Sequence, residues 1–208
     1  STDFISTNLK EYHYMSTLKY YSQHAQEFVS GTVQVDFKTT QERFLRYLKP
    51  KASILDFGCG SGRDSRYFAE RGFAVTAVDG CAELVEIASS YTGLNVKQML
   101  FQELSEVCAY DGIWACASIL HLPKAELVAV LKKLEAALKP EGYLYVSFKY
   151  GDFEGLRNGR YFTDMTEKSF EALLAEVSGL KLVDEWVSGD VREGRSEEKW
   201  LNVILRKE

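Results

Sequence analysis

The chain has 208 residues, enough to bury a core in one domain (residues 1–208) without disulfides or structural metals. Its net charge is -5 and its pI is about 5.4, which disfavours nucleic acid and anionic membranes as partners because both attract excess cations. Apolar runs stay below the ~20 residues of a membrane helix. The polar N-terminus lacks a signal-peptide core, so a cytoplasmic protein is expected.

Residues 1–50 are predicted to be mainly helical. The aromatic-rich stretch EYHYMSTLKYYSQHAQEFV spans 11–29, and TTQERFLRYLK at 39–49 forms a second helix that leads into the first strand. An extension of this kind can cover an open ligand cleft. We therefore expect an N-terminal helical lid.

Strands and helices alternate after residue 50. The clearest helix begins near Pro123 and ends where KPEG interrupts its apolar periodicity. This alternation predicts a parallel sheet covered by helices on both faces, with ligands at the carboxyl ends of the strands. The predicted parallel strands are 52–57, 73–79, 95–100, 112–118 and 142–148.

The pattern changes beyond the fifth strand. A polar, glycine-rich loop at 149–165 precedes a helix at 166–177, and two β-rich runs follow at 180–187 and 199–207. The charged stretch 188–199 between them is so short that they must be antiparallel. The predicted fold is α/β and Rossmann-like, with a mostly parallel seven-stranded sheet, a final antiparallel strand and helices on both faces.

The cysteines form no CxxC pair and lie mostly in apolar or glycine-rich segments. This distribution argues against a zinc site or a disulfide framework. We therefore expect buried free thiols and no bound metal. The cysteines are Cys59, Cys81, Cys108 and Cys116.

The segment ILDFGCGSGRD joins the first strand to a helix. Its glycines, Gly58, Gly60 and Gly62, let a ligand lie against bare backbone and the helix N-terminus, which favours a carboxylate or a phosphate. A dinucleotide-binding GxGxxG loop would need glycine where Arg63 stands. Asp56, just before the turn, would repel a pyrophosphate but suits an ammonium, which disfavours NAD.

Asp79 ends the second strand, 21 positions after Gly58 (79 − 58 = 21). An acid at this strand end can accept hydrogen bonds from both ribose hydroxyls of an adenosine. The cleft therefore suits a ligand with an adenosine, an ammonium and a carboxylate. S-adenosylmethionine (SAM) has all three, and it is the predicted cofactor.

Four ordered motifs resemble those of class I SAM-dependent methyltransferases. LDFGCGSG resembles the first motif, VDG the ribose-binding acid, YDGIWACASILHL the fourth motif and ALKPEGYLYVSF the helix-turn-strand that follows. The resemblance spans about residues 15–207 and implies the class I methyltransferase fold and methyl transfer from SAM. Within the family, GCGSGRDS is similar to tellurite-resistance-type methyltransferases, a likeness that leaves the acceptor open.

The resemblance also implies which residues bind the cofactor. Asp56 and the glycine loop would hold the methionine end, Asp79 the ribose, and residues after the third strand the adenine. Ala117 and Ser118 would lie beside the sulfonium, and Tyr20 and Tyr21 would be the candidates for closing the lid over the cofactor. The implied set is Tyr21, Asp56, Gly58, Cys59, Gly60, Gly62, Asp79, Gly80, Cys81, Met99, Leu100, Phe101, Gln102, Ala117 and Ser118.

His121 is the candidate catalytic residue, three positions past Ser118 at the predicted mouth of the cleft. Its ordinary pKa of about 6.5 suits a general base, but it can equally bond to backbone and support the loop. The sequence ASIL in the fourth motif lacks the Asn-Pro-Pro-Tyr pattern of nucleobase amino-methyltransferases. Together with the acidic charge, this points to a small-molecule acceptor.

Substrate-covering segments of this family occur where 149–165 and 188–199 lie. Their arginines, Arg157 among them, either form an anion site or are simply solvated. If they converge, an acidic small molecule is the acceptor class to test. The candidate substrate-binding residues are Tyr150, Arg160, Arg192 and Arg195.

Three hypotheses remain open at this point. The first is a methyltransferase that acts on a small molecule. The second is a non-catalytic module that binds SAM or a partner without turnover. The third is a nicotinamide-dependent enzyme, which Arg63 already weakens because it replaces the last glycine of the dinucleotide loop.

Overall fold

The computed structural model describes residues 2–208, with side chains from residue 13 onward. The helices and strands alternate through the middle of the chain, as the sequence predicts. They are α1 (Thr2–Thr32), α2 (Lys38–Leu45), β1 (Ser53–Phe57), α3 (Arg63–Glu70), β2 (Ala74–Asp79), α4 (Ala82–Thr92), β3 (Lys97–Gln98), β4 (Tyr110–Ala115), α5 (Lys124–Ala137), β5 (Leu138–Lys149), β6 (Glu154–Arg157), β7 (Arg160–Thr163), α6 (Glu167–Leu174), β8 (Leu180–Gly189) and β9 (Lys199–Lys207).

Seven strands form the main sheet in the order β3-β2-β1-β4-β5-β9-β8. Strand β9 runs antiparallel to both of its neighbours, and the other pairs in this sheet are parallel. The predicted α/β fold, with its mostly parallel seven-stranded sheet and antiparallel last strand, is confirmed. The order reverses beside β1, so β1 and β4 sit at the centre, where parallel sheets bind ligands.

The core consists of two apolar layers, one on each face of the sheet. Successive side chains of a strand point to opposite faces, so neighbours in β1 enter different layers. Leu55 packs in the layer that α5 covers with residues such as Leu131. Ile54 packs in the other layer, with Phe44 of α2 and Phe68 of α3. Burial on both faces explains why these strands read as apolar runs.

Two predicted strands are shorter than expected. Strand β3 keeps only Lys97–Gln98 of the predicted 95–100, because the chain turns just before it and Val96 N–H bonds back to Leu94. Strand β4 ends at Ala115 rather than 118, since Ala117 adopts a left-handed conformation (φ 47) that no strand continues.

The predicted loop at 149–165 contains a hairpin, which corrects the sequence interpretation. Strands β6 and β7 pair across a two-residue turn in which Asn158 (φ 52) and Gly159 (φ 81) are both left-handed. Asn-Gly is a strong signal for this turn. The interpretation from polarity and glycine content alone missed it.

The helix predicted at 166–177 is α6. It begins after Thr166, whose side chain accepts a hydrogen bond from Ser169 N–H at 3.2 Å, as an N-cap does. The final pair β8 and β9 is antiparallel, as predicted. Among the described helices, none has both the length and the hydropathy needed to cross a membrane.

All four thiols are free, as predicted, but their burial differs. Cys59 and Cys81 are buried and Cys116 is half-buried. Cys108 is exposed, which corrects the expectation of four buried thiols. It lies in the turn before β4, where its φ of 47 keeps it out of the sheet.

Candidate functional site

The carboxyl ends of β1, β2 and β4 meet at one edge of the sheet, and helix α1 crosses this edge. Two cavities lie there among the described residues, with empty volumes of about 1040 and 440 Å³, open solvent included. The smaller lies between the glycine loop, the end of β2 and α1, and the larger extends toward β5, β7 and the 188–199 segment. The two cavities adjoin, since they share six lining residues. These are Tyr21, Phe28, Gly58, Gly60, Ala117 and His121.

The glycine loop follows β1 and folds back against β2. The N–H groups of Gly58 and Cys59 both donate to Val78 O, at 3.0 and 2.9 Å. Gly58 has φ 85, and a Cβ there would lie 2.5 Å from Cβ of Ser118. Only glycine therefore allows this turn to approach the end of β4 so closely.

Asp79 forms the floor of the smaller cavity at the end of β2. Its Oδ2 accepts Gly60 N–H and its Oδ1 accepts Cys81 N–H, both at 2.9 Å. Burial raises the pKa of Asp79, and the two backbone donors act in the opposite direction. A carboxylate has about four acceptor positions, so Asp79 keeps capacity for two further donors.

Asp56 lies behind the glycine loop and is not part of either cavity wall. It is 2% exposed, and its Oδ2 accepts the Ser65 hydroxyl at 2.6 Å. Burial and the neighbouring Asp64 raise the pKa of Asp56. In this position Asp56 links β1 to α3 through Ser65, and its contact with the methionine end stays a prediction.

Asp64 is the carboxylate of this region that does line the larger cavity. It accepts hydrogen bonds from Gln41 Nε2 at 2.6 Å and Trp114 Nε1 at 2.9 Å, and it forms an ion pair with Arg63. Arg63 in turn lies over the ring of Phe37, 4.5 Å from its centroid. The three partners of Asp64 hold its charge in a fixed position in the cavity wall.

The end of β4 presents an irregular backbone to both cavities. Ala117 is left-handed, and its N–H donates to Ser147 Oγ at 2.7 Å, which holds the conformation in place. Ser118 is 5% exposed and lines the smaller cavity, and its Oγ has no hydrogen-bond partner among the described residues. A strained backbone and an unsatisfied buried hydroxyl are features that cluster at ligand sites.

His121 is buried at the junction of the two cavities. Its Nδ1 lies 2.8 Å from the carbonyl oxygen of Tyr161, which can only accept, so Nδ1 carries the proton. Its Nε2 therefore accepts from the hydroxyl of Tyr21, also at 2.8 Å. Burial lowers the pKa of His121 to about 4, and burial raises the pKa of Tyr21. Both side chains are thus neutral at neutral pH.

Helix α1 is tied to the β6–β7 hairpin as well as to His121. Thr17 Oγ1 accepts Tyr161 N–H at 2.9 Å, and the guanidinium of Arg160 lies 4.7 Å from the ring centroid of Tyr20. Gly159 approaches the same ring so closely that a Cβ there would lie 3.0 Å from it. The N-terminal helix and the hairpin therefore meet over the site.

The predicted cofactor residues divide into two groups. In the 3₁₀ turn after β3 (Phe101–Glu103), only Phe101 lines a cavity. Gly62 packs against α4 instead of facing a cavity. Those that line a cavity are Tyr21, Gly58, Cys59, Gly60, Asp79, Gly80, Phe101, Ala117 and Ser118. Those outside both walls are Asp56, Gly62, Cys81, Met99, Leu100 and Gln102.

The predicted substrate residues also divide. Arg160, Arg192 and Arg195 line the larger cavity. Tyr150 is exposed, lies outside both walls and donates its hydroxyl to Glu167 at 2.7 Å, so its contact with an acceptor stays a prediction. Arg157 pairs with Asp164 instead of facing the cavity.

The sequence interpretation missed several lining residues. Tyr14, Leu18 and Phe28 share one face of α1 with Tyr21, and their spacing of three, four and seven positions was a signal that could have identified them. Lining residues from distant parts of the chain had no such signal. They include Phe37, Asp64, Ser147, Lys149, Trp200 and Asn202.

Comparison with known proteins is consistent with this geometry. Residues 27–180 match the family described as methyltransferase domain. The chain is 32% identical over 117 residues to YqeM of Bacillus subtilis, named as a methyltransferase, a match that covers 50% of this chain and 47% of that protein. It is 30% identical over 109 residues to the ubiquinone biosynthesis O-methyltransferase of Xanthomonas campestris, covering 49% and 45%. The chain thus spans about half the length of the curated relatives it matches.

A solved structure shares the fold over nearly the whole chain. It is the 1,6-didemethyltoxoflavin-N1-methyltransferase of Burkholderia thailandensis, with bound 1,6-didemethyltoxoflavin and S-adenosylhomocysteine. The TM-score is 0.74 at 24% identity, covering 93% of this chain and 87% of that one. The predicted family, enzyme class and cofactor are confirmed at the level of the family, whereas the likeness to tellurite-resistance-type members stays a prediction. With the glycine loop, Asp79 and the strand order β3-β2-β1-β4-β5-β9-β8 in place, the chain belongs to the methyltransferase domain family and has the class I fold of SAM-dependent methyltransferases.

Proposed function

We propose that this chain transfers a methyl group from SAM to a small-molecule acceptor. The observation that carries the proposal is the pair of adjoining cavities. One cavity is bounded by the glycine loop and Asp79, and the other is lined by arginine and aromatic side chains. Such an arrangement suits a cofactor in one compartment and an acceptor in the next.

The smaller cavity fits the adenosyl part of the cofactor. Asp79 has free acceptor positions for the ribose hydroxyls, and Ser118 offers a buried hydroxyl that has no partner among the described residues. Phe101 and Leu18 supply apolar surface for an adenine ring. Gly80 leaves room for that ring, since a Cβ there would lie 3.0 Å from Leu18 and 3.1 Å from the Tyr14 hydroxyl.

SAM supplies an electrophilic methyl group on a positively charged sulfur. The residues of this chain then have to align the acceptor and exclude water, which can lower a barrier by roughly 7 to 11 kcal/mol for well-oriented reactants. Helix α1 contributes Tyr21 and Phe28 to the wall of the larger cavity, and the hairpin contributes Arg160 and Phe162. Acceptor and cofactor would meet beneath these side chains, beside Ala117.

The proposed role of His121 follows from its neutral state. Its Nε2 accepts from Tyr21, so the imidazole holds the Tyr21 hydroxyl at the junction of the cavities. For an acceptor that arrives protonated, its proton passes to the Tyr21 oxygen while the Tyr21 proton passes to Nε2. His121 then acts as the base through Tyr21, and an acceptor that arrives as an anion needs no such transfer.

Residues 1–208 act as one domain, in which 1–50 form the lid. The segments 149–165 and 188–199 cover the acceptor, supported by the cavity-lining positions of Arg160 and Arg192 within them. The small size of the acceptor is supported by the names of the similar proteins, which include a ubiquinone biosynthesis O-methyltransferase and a didemethyltoxoflavin methyltransferase.

The first experiment is a calorimetric titration of protein stripped of ligand, with SAM, S-adenosylhomocysteine and NAD. Micromolar binding of the first two and none of NAD is expected. Absence of binding by both SAM and S-adenosylhomocysteine would overturn the proposal. Release of S-adenosylhomocysteine with an acceptor panel then separates an enzyme from a SAM-binding module, which would bind equally but never turn over.

A further inference from the structure

The larger cavity is cationic, although the chain as a whole carries a net charge of -5. Five cationic side chains and two carboxylates line it, so positive charges exceed negative ones by three (5 − 2 = 3). His121 adds no charge while it is neutral. The cations are Arg63, Lys149, Arg160, Arg192 and Arg195, and the carboxylates are Asp64 and Asp190.

Two of these cations are neutralised within the wall itself. Arg63 pairs with Asp64 at 2.9 Å, and Arg192 pairs with Asp190 at 2.6 Å. These guanidinium groups already have carboxylate partners, so they are poor candidates for binding a further anion.

Arg160 differs from them, because no carboxylate of the described residues lies within ion-pair distance of it. Its Nε is buried without a hydrogen-bond partner, and its Nη1 lies 3.4 Å from the Tyr21 hydroxyl. A guanidinium has five donors, and most of those of Arg160 are uncommitted. Lys149 stands nearby with one distant partner, Glu198 at 3.8 Å.

Flat aromatic surfaces surround these uncommitted donors. The guanidinium carbon of Arg160 lies 5.1 Å from the ring centroid of Phe162, and Lys149 Nζ lies 5.0 Å from the same centroid. Aromatic walls of this kind favour a planar ring, which stacks at little cost in conformational entropy. The aromatic residues that line the cavity are Tyr21, Phe28, Phe37, Tyr145, Phe162 and Trp200.

On the basis of the proposed function, we infer that the acceptor is a planar aromatic acid whose carboxylate binds Arg160. The planar guanidinium fork matches a carboxylate with two parallel hydrogen bonds. The positively charged sulfonium of the cofactor increases the preference for an anion, because opposite charges across a site favour binding of the correct partner. Arg160 is then the residue that selects the acceptor.

The test is a titration of the protein saturated with S-adenosylhomocysteine. The probes are 4-hydroxybenzoate and 6-hydroxy-2-naphthoate, the corresponding amides, and trans-4-hydroxycyclohexanecarboxylate. At least one aromatic acid should bind, with its amide about thirty-fold weaker or more, because the amide leaves the guanidinium without a counter-charge. The saturated-ring acid should bind more weakly than 4-hydroxybenzoate, because it presents no flat ring to the aromatic walls, and equal binding of these two acids would overturn the planar-ring part of the inference.

Arg160→Gln should reduce the ratio of acid to amide affinity to near one. Arg66→Gln removes the same charge from an exposed position outside the cavity and should leave the ratio unchanged. Equal binding of acid and amide, a ratio that survives Arg160→Gln, or no binding by either aromatic acid would overturn the inference. The comparison of acid and amide binding to the wild-type protein still tests the inference if the Arg160 variant fails to fold. Failure of the proposed function is a separate result, since it appears as absent S-adenosylhomocysteine binding before any acid is added.

Discussion

The hydroxyl of Tyr21 donates to Nε2 of His121 at 2.8 Å, although 100 positions separate the two residues in the chain. The bond joins helix α1 to the turn after β4, and both side chains line both cavities. Because His121 also donates to Tyr161 O, three separate segments are held together at the junction of the two cavities.

Replacing Tyr21 with Phe tests this link. The change leaves Nε2 of His121 buried without a donor, so the free energy of unfolding should fall by about 1 to 3 kcal/mol. Tyr20→Phe is the matched control, since the Tyr20 hydroxyl makes no hydrogen bond within the described residues and its ring stays stacked on His24. The control should stay within about 0.5 kcal/mol of the wild type in urea unfolding. Equal losses in both variants would contradict the link.

The free energy of unfolding should depend on pH because of His121. Burial lowers its pKa to about 4 in the folded protein, whereas the unfolded chain keeps a value near 6.5. As the pH falls below 6.5 the unfolded state binds the proton first, so stability is lost progressively between about pH 6.5 and pH 4. At neutral pH the lowered pKa of His121 therefore contributes about 3 kcal/mol to the free energy of unfolding.

NMR of the histidine side chains measures the protonation state of the His121 ring directly. The His121 ring should stay neutral, with the proton on Nδ1, down to about pH 5. In unfolding experiments, His121→Gln should remove that part of the decline in stability below pH 6.5. A ring that titrates near its ordinary value would refute the prediction.

Asp79→Asn should weaken S-adenosylhomocysteine binding by about thirty-fold or more, because an amide has half the acceptor capacity of a carboxylate and carries no charge. Asp111→Asn is the control at the opposite end of the strands, where Asp111 accepts Ser53 N–H at 2.8 Å far from either cavity. Calorimetric titration of both variants checks the prediction. Unchanged affinity in Asp79→Asn would remove this residue from the cofactor site.

Ser118→Ala should weaken binding of S-adenosylhomocysteine without changing the stability of the fold. Its Oγ has no partner among the described residues, so the free energy of unfolding should change by less than about 0.5 kcal/mol. Affinity for S-adenosylhomocysteine should fall by about three- to tenfold through loss of one hydrogen bond.

Ser65→Ala is the comparison variant for Ser118→Ala. Its Oγ donates to buried Asp56 at 2.6 Å, so this change should lower the free energy of unfolding by about 1 kcal/mol or more. If Ser118→Ala destabilises the protein as much as Ser65→Ala does, Ser118 is a structural residue instead.

Local features of the sequence predicted much of the fold. The order of the seven strands in the chain and helix α5 followed from periodicity, and the antiparallel final pair followed from its short connection. The Asn158–Gly159 turn was equally local, but the polarity of its surroundings concealed it. The burial of Asp56 behind the glycine loop could not be predicted, because position in a motif does not say on which side of a glycine turn a side chain lies.

The sequence by itself determined the glycine turn, the acid at the end of β2 and hence the family, because each depends on backbone conformation and spacing within a few residues or one strand-helix unit. Only the tertiary structure decided which distant side chains share the site. Arg160 meets Tyr21 across 139 positions, and whether a guanidinium faces a carboxylate or an open cavity depends on how the hairpin packs against α1. The acceptor class is therefore a property of the packed chain, since charge pairing depends on distance in space and not on order in sequence.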